Sequence, residues 1–131
     1  MRARAAGARV ARFASLTPQG RPHIVPCCLA IEGDRLYVAV DDVKAKSTMS
    51  LRRLQNISAD PRVSVLVDHY SDDWDTLWWV RMDGTATVAE LGTRGHATAV
   101  ELLAAKYEPY RLQPPPGPAI VVAIGTWRAW P

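Results

Sequence analysis

Apolar side chains recur along much of this chain at every second position, the period of a strand with one buried face. The clearest stretch is DPRVSVLVDHYSDDWDTLWWVRMDG, residues 60–84. Asp60-Pro61 stops whatever helix precedes it and introduces a β-branched run over 62–68. After an acidic turn, 77–82 alternates large apolar with polar side chains and ends at Asp83-Gly84, which reads as a turn, with 85–90 continuing beyond it. Earlier, 10–17, 23–31 and 35–40 read as a meander of three strands joined by PQGRP (18–22) and EGD (32–34). A rigid proline segment, QPPPGP (113–118), leads into a last strand over 119–130. Twice the spacing becomes helical. Over 47–59 it aligns Leu51, Leu54 and Ile57 behind a cap at Ser47 or Thr48. Over 93–107 it aligns Ala99, Val100, Leu103, Ala104 and Tyr107.

About six strands with two inserted helices predict an antiparallel barrel whose openings the helices cover, a mainly-β or α+β fold. The 131 residues suit a single domain spanning 1–131. No apolar run approaches the ~20 residues that span a bilayer. The basic, alanine-rich start MRARAAGARVARFASL lacks the continuous apolar core of a targeting peptide and runs straight into a strand. Cys27 and Cys28 are adjacent, so a strand points them to opposite faces, and His23, His69 and His96 are scattered singly. Neither a disulfide framework nor a zinc site is expected, and a reducing, cytoplasmic setting is. The net charge of +3 favours anionic ligands without implying nucleic acid. Basic residues gather at the N-terminus and in KAKSTMSLRR (44–53), and acidic ones in 68–75. Trp74, Trp78 and Trp79 gather too, for a flat aromatic ligand or for a compact β core. Neighbours on a strand, Trp78 and Trp79 cannot both face inward, so one needs a cover: a partner subunit, a ligand or a helix.

Four segments carry a resemblance over nearly the whole chain. They are ARFASLTPQGRPHIVPCCLAIEGDRLYVAVD (11–41), RRLQNISADPRVSVLVDHYSDDWDTLWWVRMDG (52–84), AAKYEPYRLQPPPGP (104–118) and TWRAW (126–130). Together they resemble the pyridoxamine 5′-phosphate oxidase-like split-barrel family, and the DHY…DDW…LWWVR and KYEPYR…PPPGP blocks resemble its branch that uses the deazaflavin F420. The resemblance implies a homodimer with cofactors in grooves between subunits, moving a hydride between F420 and a small hydrophobic organic substrate. An FMN-dependent enzyme of the same family is the alternative, as is a protein that binds F420, FMN or haem without turnover. No catalytic residue is selected; His23 and Tyr37 are proton-donor candidates that the spacing does not separate. Nucleic acid is disfavoured because the indoles sit among acidic and apolar residues rather than between arginines.

For the cofactor phosphate the resemblance offers two placements. Counting back without gaps from DPRV puts the family's basic pair on Arg52 and Arg53, with Asn56 one turn later. The other placement is the loop and helix start carrying Lys44, Lys46, Ser47 and Thr48, long enough to follow an acidic cofactor tail. Against both stands a solvated basic surface. The ring system is expected against Val25, Pro26, Cys27 and Val38, with Trp79 approaching and Trp127 and Trp130 completing the site from the partner subunit. Pro26 inside a strand lacks a ladder donor, which an edge or ligand-facing position explains. Met1 lies close to Val10, which leaves open whether the helix that often flanks the cofactor groove before the first strand is shortened here.

Overall fold

The computed structural model describes residues 1–40 and 48–131, with side chains of the second stretch from residue 52 onward. Seven strands form one antiparallel sheet: β1 (Ala11–Leu16), β2 (Pro22–Cys27), β3 (Ala30–Glu32), β4 (Arg35–Ala39), β5 (Arg62–His69), β6 (Trp78–Ala89) and β7 (Ala119–Trp130). Their spatial order is β2-β1-β5-β6-β7-β4-β3. The strands at the two edges, β2 and β3, are separated in sequence by Cys28 and Leu29 alone. Laid flat, seven strands would hold their edges about 29 Å apart, whereas three Cα steps reach at most about 11 Å. The sheet must curl until its edges meet. They meet through the chain, with no ladder between β2 and β3, and this makes the barrel split.

That topology corrects the expected continuous strand over 23–31 and the three-strand meander. Alternation continues through the break, so periodicity could not show that the residues before and after it pair at opposite edges. Pro22 and Pro26 lie on the edge strand β2, where a missing N–H costs no ladder bond. The turn expected at Asp83-Gly84 is also absent. Strand β6 runs through it with a bulge against β7, because a Cβ on Gly84 would overlap the carbonyl oxygen of Ala123. Asp83 is tied across the sheet, accepting from Ser64 Oγ at 2.7 Å and from Arg81 Nε at 3.0 Å.

Among the described residues four α-helices flank the sheet. In α1 (Arg2–Gly7), a six-residue stub, Ala5 is fully buried. Arg2 lies 4.4 Å from the ring centre of Trp127 and pairs with Asp34 at 2.8 Å, and Arg4 covers Trp78 at 5.2 Å. Asp34 also accepts from Trp127 Nε1 at 3.0 Å, and both donors, Arg2 foremost, hold its carboxyl below the usual range. In α2 (Thr48–Ala59), Ile57 packs in the core and Leu54 packs against it. Thr93 caps α3 (Arg94–Lys106), its Oγ1 accepting from the His96 N–H at 3.2 Å, and Ala99 and Leu103 are fully buried. The expected face of α3 is confirmed, with Val100 and Ala104 half-buried at its margin. A short α4 (Glu108–Leu112), absent from the sequence reading, follows. None of the described helices is long and apolar enough to cross a membrane.

The crossover is pinned from α3. Lys106 Nζ donates to the carbonyls of Ala8 at 2.6 Å and Leu29 at 2.9 Å. The Tyr107 hydroxyl accepts from the Leu29 N–H at 3.2 Å and donates to the Arg9 carbonyl at 2.9 Å. Leu29 is fully buried, so its backbone groups need these partners. Replacing Tyr107→Phe strands the Leu29 N–H and should destabilise the fold by about 1–3 kcal/mol. Urea unfolding should show a lower midpoint with an unchanged slope.

Candidate functional site

Helix α2 lies against β1 and β6, and where it meets β1 the core turns polar. Asn56 is completely buried; its Nδ2 donates to Ser15 Oγ at 3.1 Å and its Oδ1 has no partner. One turn earlier, Arg53 is only 9% exposed and, among the described residues, its Nη1 has no partner. His23, directly opposite Ser15 in the β1–β2 register, holds a buried Nδ1 that is also unpartnered. Orphaned buried polar atoms cost roughly 1–3 kcal/mol each, so such atoms gathered along one seam point to something polar that they meet.

Clefts open near these residues and on the outer face of the sheet, three of which bear on the expected site. The first, about 270 Å³, is lined by Val10, Pro26, Cys27, Cys28, Ala39, Arg53 and Tyr110. A second, about 210 Å³, lies beside the β1–β2 turn and is lined by Thr17, Pro18, Gln19, Arg52, Gln55 and Asn56. The third, about 420 Å³, sits on β5 and β6 and is lined by Leu66, Asp68, Tyr70, Trp79 and Arg81.

The structure thus brings Pro26, Cys27 and Arg53 together and separates Arg52 and Asn56 from them. Helical geometry is the reason: consecutive residues point about 100° apart, so an adjacent basic pair opens on two clefts. Val25 and Val38, expected against the ring, are instead core residues, 7% and 1% exposed. Strand alternation turns both into the barrel, where Val25 stands opposite Phe13. Trp79 lines a different cleft from Arg53, and its neighbour Trp78 packs on the core, so the expected in–out division of the two indoles holds. Trp127 is engaged by Arg2 and Asp34, while Trp130 stands exposed beside Trp79 in the register. Lys44, Lys46 and Ser47 lie outside the described residues, as does the side chain of Thr48. Sequence reasoning missed Val10, Cys28, Ala39 and Tyr110. Cys28 carried a signal in its adjacency to Cys27, but only the fold brings α4 and Tyr110 to the same cleft.

The electrostatics argue against Cys27 as a nucleophile. Burial pushes the Cys27 thiol up to about 12, against the opposing pull of the Arg53 and Arg12 charges. At neutral pH Cys27 is therefore an uncharged wall of the cleft, and Arg53 is its cation. No group of three or more potential metal ligands occurs among the described residues.

The pyridoxamine 5′-phosphate oxidase family matches the sequence over residues 1–131. The chain belongs to that family. Among curated proteins nothing matches it significantly. A conserved hypothetical protein of Mycobacterium tuberculosis superposes with a TM-score of 0.76 at 20% identity, over 98% of this chain and 80% of its own. A haem-binding protein of Mycobacterium smegmatis gives 0.75 at 20% identity over 98% of this chain, which spans about half (51%) of that protein's length. A haem storage protein of Vibrio cholerae gives 0.72 at 11% identity, over 94% of this chain and 85% of its own. Likeness at such identities shows the shared split-barrel fold.

The buried thiol makes stability sensitive to alkali. Its folded pKa lies above the unfolded value of 9.0, so its contribution is complete below pH 9 and is lost as pH rises towards about 12. Cys27→Ala should flatten the fall in unfolding free energy between about pH 9 and 10.5 relative to the wild-type chain, as measured by urea titrations at each pH.

Proposed function

We propose that this protein is an F420-dependent oxidoreductase that reduces a small hydrophobic organic substrate, working as a homodimer in the cytoplasm. The observation that carries the reading is the buried, unpartnered guanidinium nitrogen of Arg53 in the cleft beside Pro26 and Cys27. A cation with no carboxylate paired to it among the described residues suits an incoming phosphate, with which it can form a charge-assisted, bidentate contact. Membership of an oxidase family and the motifs shared with its F420 branch supply the redox chemistry. Bound F420 would supply the hydride.

The chain's own residues would bind, orient and exclude water. Arg53 fixes the anionic end. Pro26 presents an edge strand with no N–H to solvate, and the neutral Cys27 thiol keeps the wall apolar. Roughly 270 Å³ is at the small end of the range for ligand pockets, so one chain offers part of a site. The outer sheet face carries exposed Ile24, Tyr70 and Trp130 alongside the half-buried Trp79. Packing that face against a second copy would cover the indoles and bring the partner's Trp79 and Trp130 towards the Arg53 cleft. Arg53 and Trp79 open on different clefts of one subunit, which favours this two-subunit reading over a site within a single chain.

The second reading is a protein that binds F420, FMN or haem without turnover, supported by the haem-binding and haem-storage relatives of the fold. Titrating the purified protein with each ligand while following tryptophan quenching separates them. Saturable F420 binding, followed by oxidation of reduced F420 in the presence of an enone or quinone, is the expected result. Tight FMN or haem binding with no response to F420 overturns it.

Arg53 also separates ligand binding from folding. Arg53→Met should weaken cofactor binding roughly tenfold to a hundredfold, the loss of a contact worth on the order of 1.5–3 kcal/mol. The free protein should be no less stable, because an unpaired buried cation gives way to an apolar side chain of similar length. Lys46→Ala should weaken binding less, by a few-fold, if it meets only the screened tail of the cofactor. Calorimetric titration checks the affinities, and thermal unfolding without ligand checks the stability.

A further inference from the structure

Cys28 stands at the crossover between β2 and β3, half-buried, and lines the same cleft as the unpartnered Arg53 guanidinium. Its neighbour Cys27 is buried in the core cluster. On the other side of the crossover, the Lys106 ammonium bonds the Leu29 carbonyl, one residue from Cys28. The half-buried member of the cysteine pair therefore shares a cleft with Arg53, whose Nη1 has no partner among the described residues, and stands one residue from the carbonyl that Lys106 holds. The thiolate is the form of cysteine that reacts.

We propose that Cys28 is a modification site, where its thiol forms a mixed disulfide with low-molecular-weight disulfides that carry carboxylate groups, selected by Arg53. The Cys28 thiolate attacks one sulfur of the reagent's S–S bond. A bond forms between Cys28 Sγ and that sulfur as the S–S bond breaks. The other half departs as a thiolate, with the proton first lost from Cys28 released to solvent. Cys28 is oxidised and the departing half is reduced, so the small disulfide is itself the oxidant. The retained half occupies the cleft with its carboxylate on Arg53 and closes it to any other anion, which makes the site switchable by redox state. This deepens the reading of the Arg53 cleft as an anion site and is independent of which cofactor the cleft takes. The thiol chemistry is read on protein without cofactor, so its failure and the failure of the F420 reading are distinguishable.

The test treats the full chain with dithiobis(nitrobenzoate), an anionic disulfide, and in parallel with dithiodipyridine, a neutral one. A single adduct per chain is expected, mapped to Cys28 by peptide mass, lost in Cys28→Ser and retained in Cys27→Ala. The rate with the anionic reagent relative to the neutral one should fall about tenfold in Arg53→Met, as expected when a steering charge is removed. Inorganic phosphate should slow the anionic reagent selectively. Should Arg53→Met fail to fold, raising the salt concentration on the wild-type chain reads the same ratio, which should fall as the charge is screened. Labelling at Cys27, reaction only after denaturation, or equal effects on both reagents would each overturn the proposal.

Discussion

Everything in this fold hangs on a two-residue crossover. Cys28 and Leu29 join strands that lie at opposite edges of a seven-stranded sheet, so the sheet has to bend until those edges come within a few Cα steps of each other. The bend leaves the Leu29 backbone buried and off any ladder. Lys106 and Tyr107 supply its partners from the end of α3, and the same two side chains hold the carbonyls of Ala8 and Arg9. The N-terminal segment, the crossover and α3 are thereby bound into one unit. The candidate cleft opens beside that unit, with Val10 and Cys28 in its wall.

A second constraint shapes the site. Most of the barrel interior is aliphatic, yet α2 presents Arg53 and Asn56 to it, and β2 presents His23. A chain selected only for stability would fill that seam with apolar side chains, since buried charge without a partner works against folding. Retaining it suits a protein whose folded state is completed by a ligand, which supplies what the chain leaves unpaired. Cys27 beside Arg53 stays neutral and so supplies it no counter-charge.

The outer face of the sheet carries the complementary feature. Trp79 and Trp130 are neighbours in the β6–β7 register, with Tyr70 nearby, whereas Trp78 and Trp127 are turned towards α1 and its arginines. The indoles thus fall into two groups with different covers. One is finished within the chain. The other leaves apolar surface that the chain does not cover itself.

Local pattern determined a good deal by itself. Alternation placed most strands within a residue or two, Asp60-Pro61 marked the junction of α2 and β5, and Thr93 marked the start of α3, because these signals act through neighbouring backbone. The quoted segments were enough to place the chain in its family and to name Pro26, Cys27 and Arg53 among the candidate site residues. Tertiary structure alone decided the rest. A period of two says which residues share a face but not which strand lies alongside, so the break at Cys28-Leu29 stayed hidden. Asp83-Gly84 satisfies a turn as well as a bulge, and only the close approach of Ala123 selects the bulge. Arg52 and Arg53 are equivalent as letters. Packing of α2 buries one with an unpaired nitrogen and leaves the other exposed on a separate cleft, because burial belongs to the neighbours a side chain acquires, most of them distant in sequence.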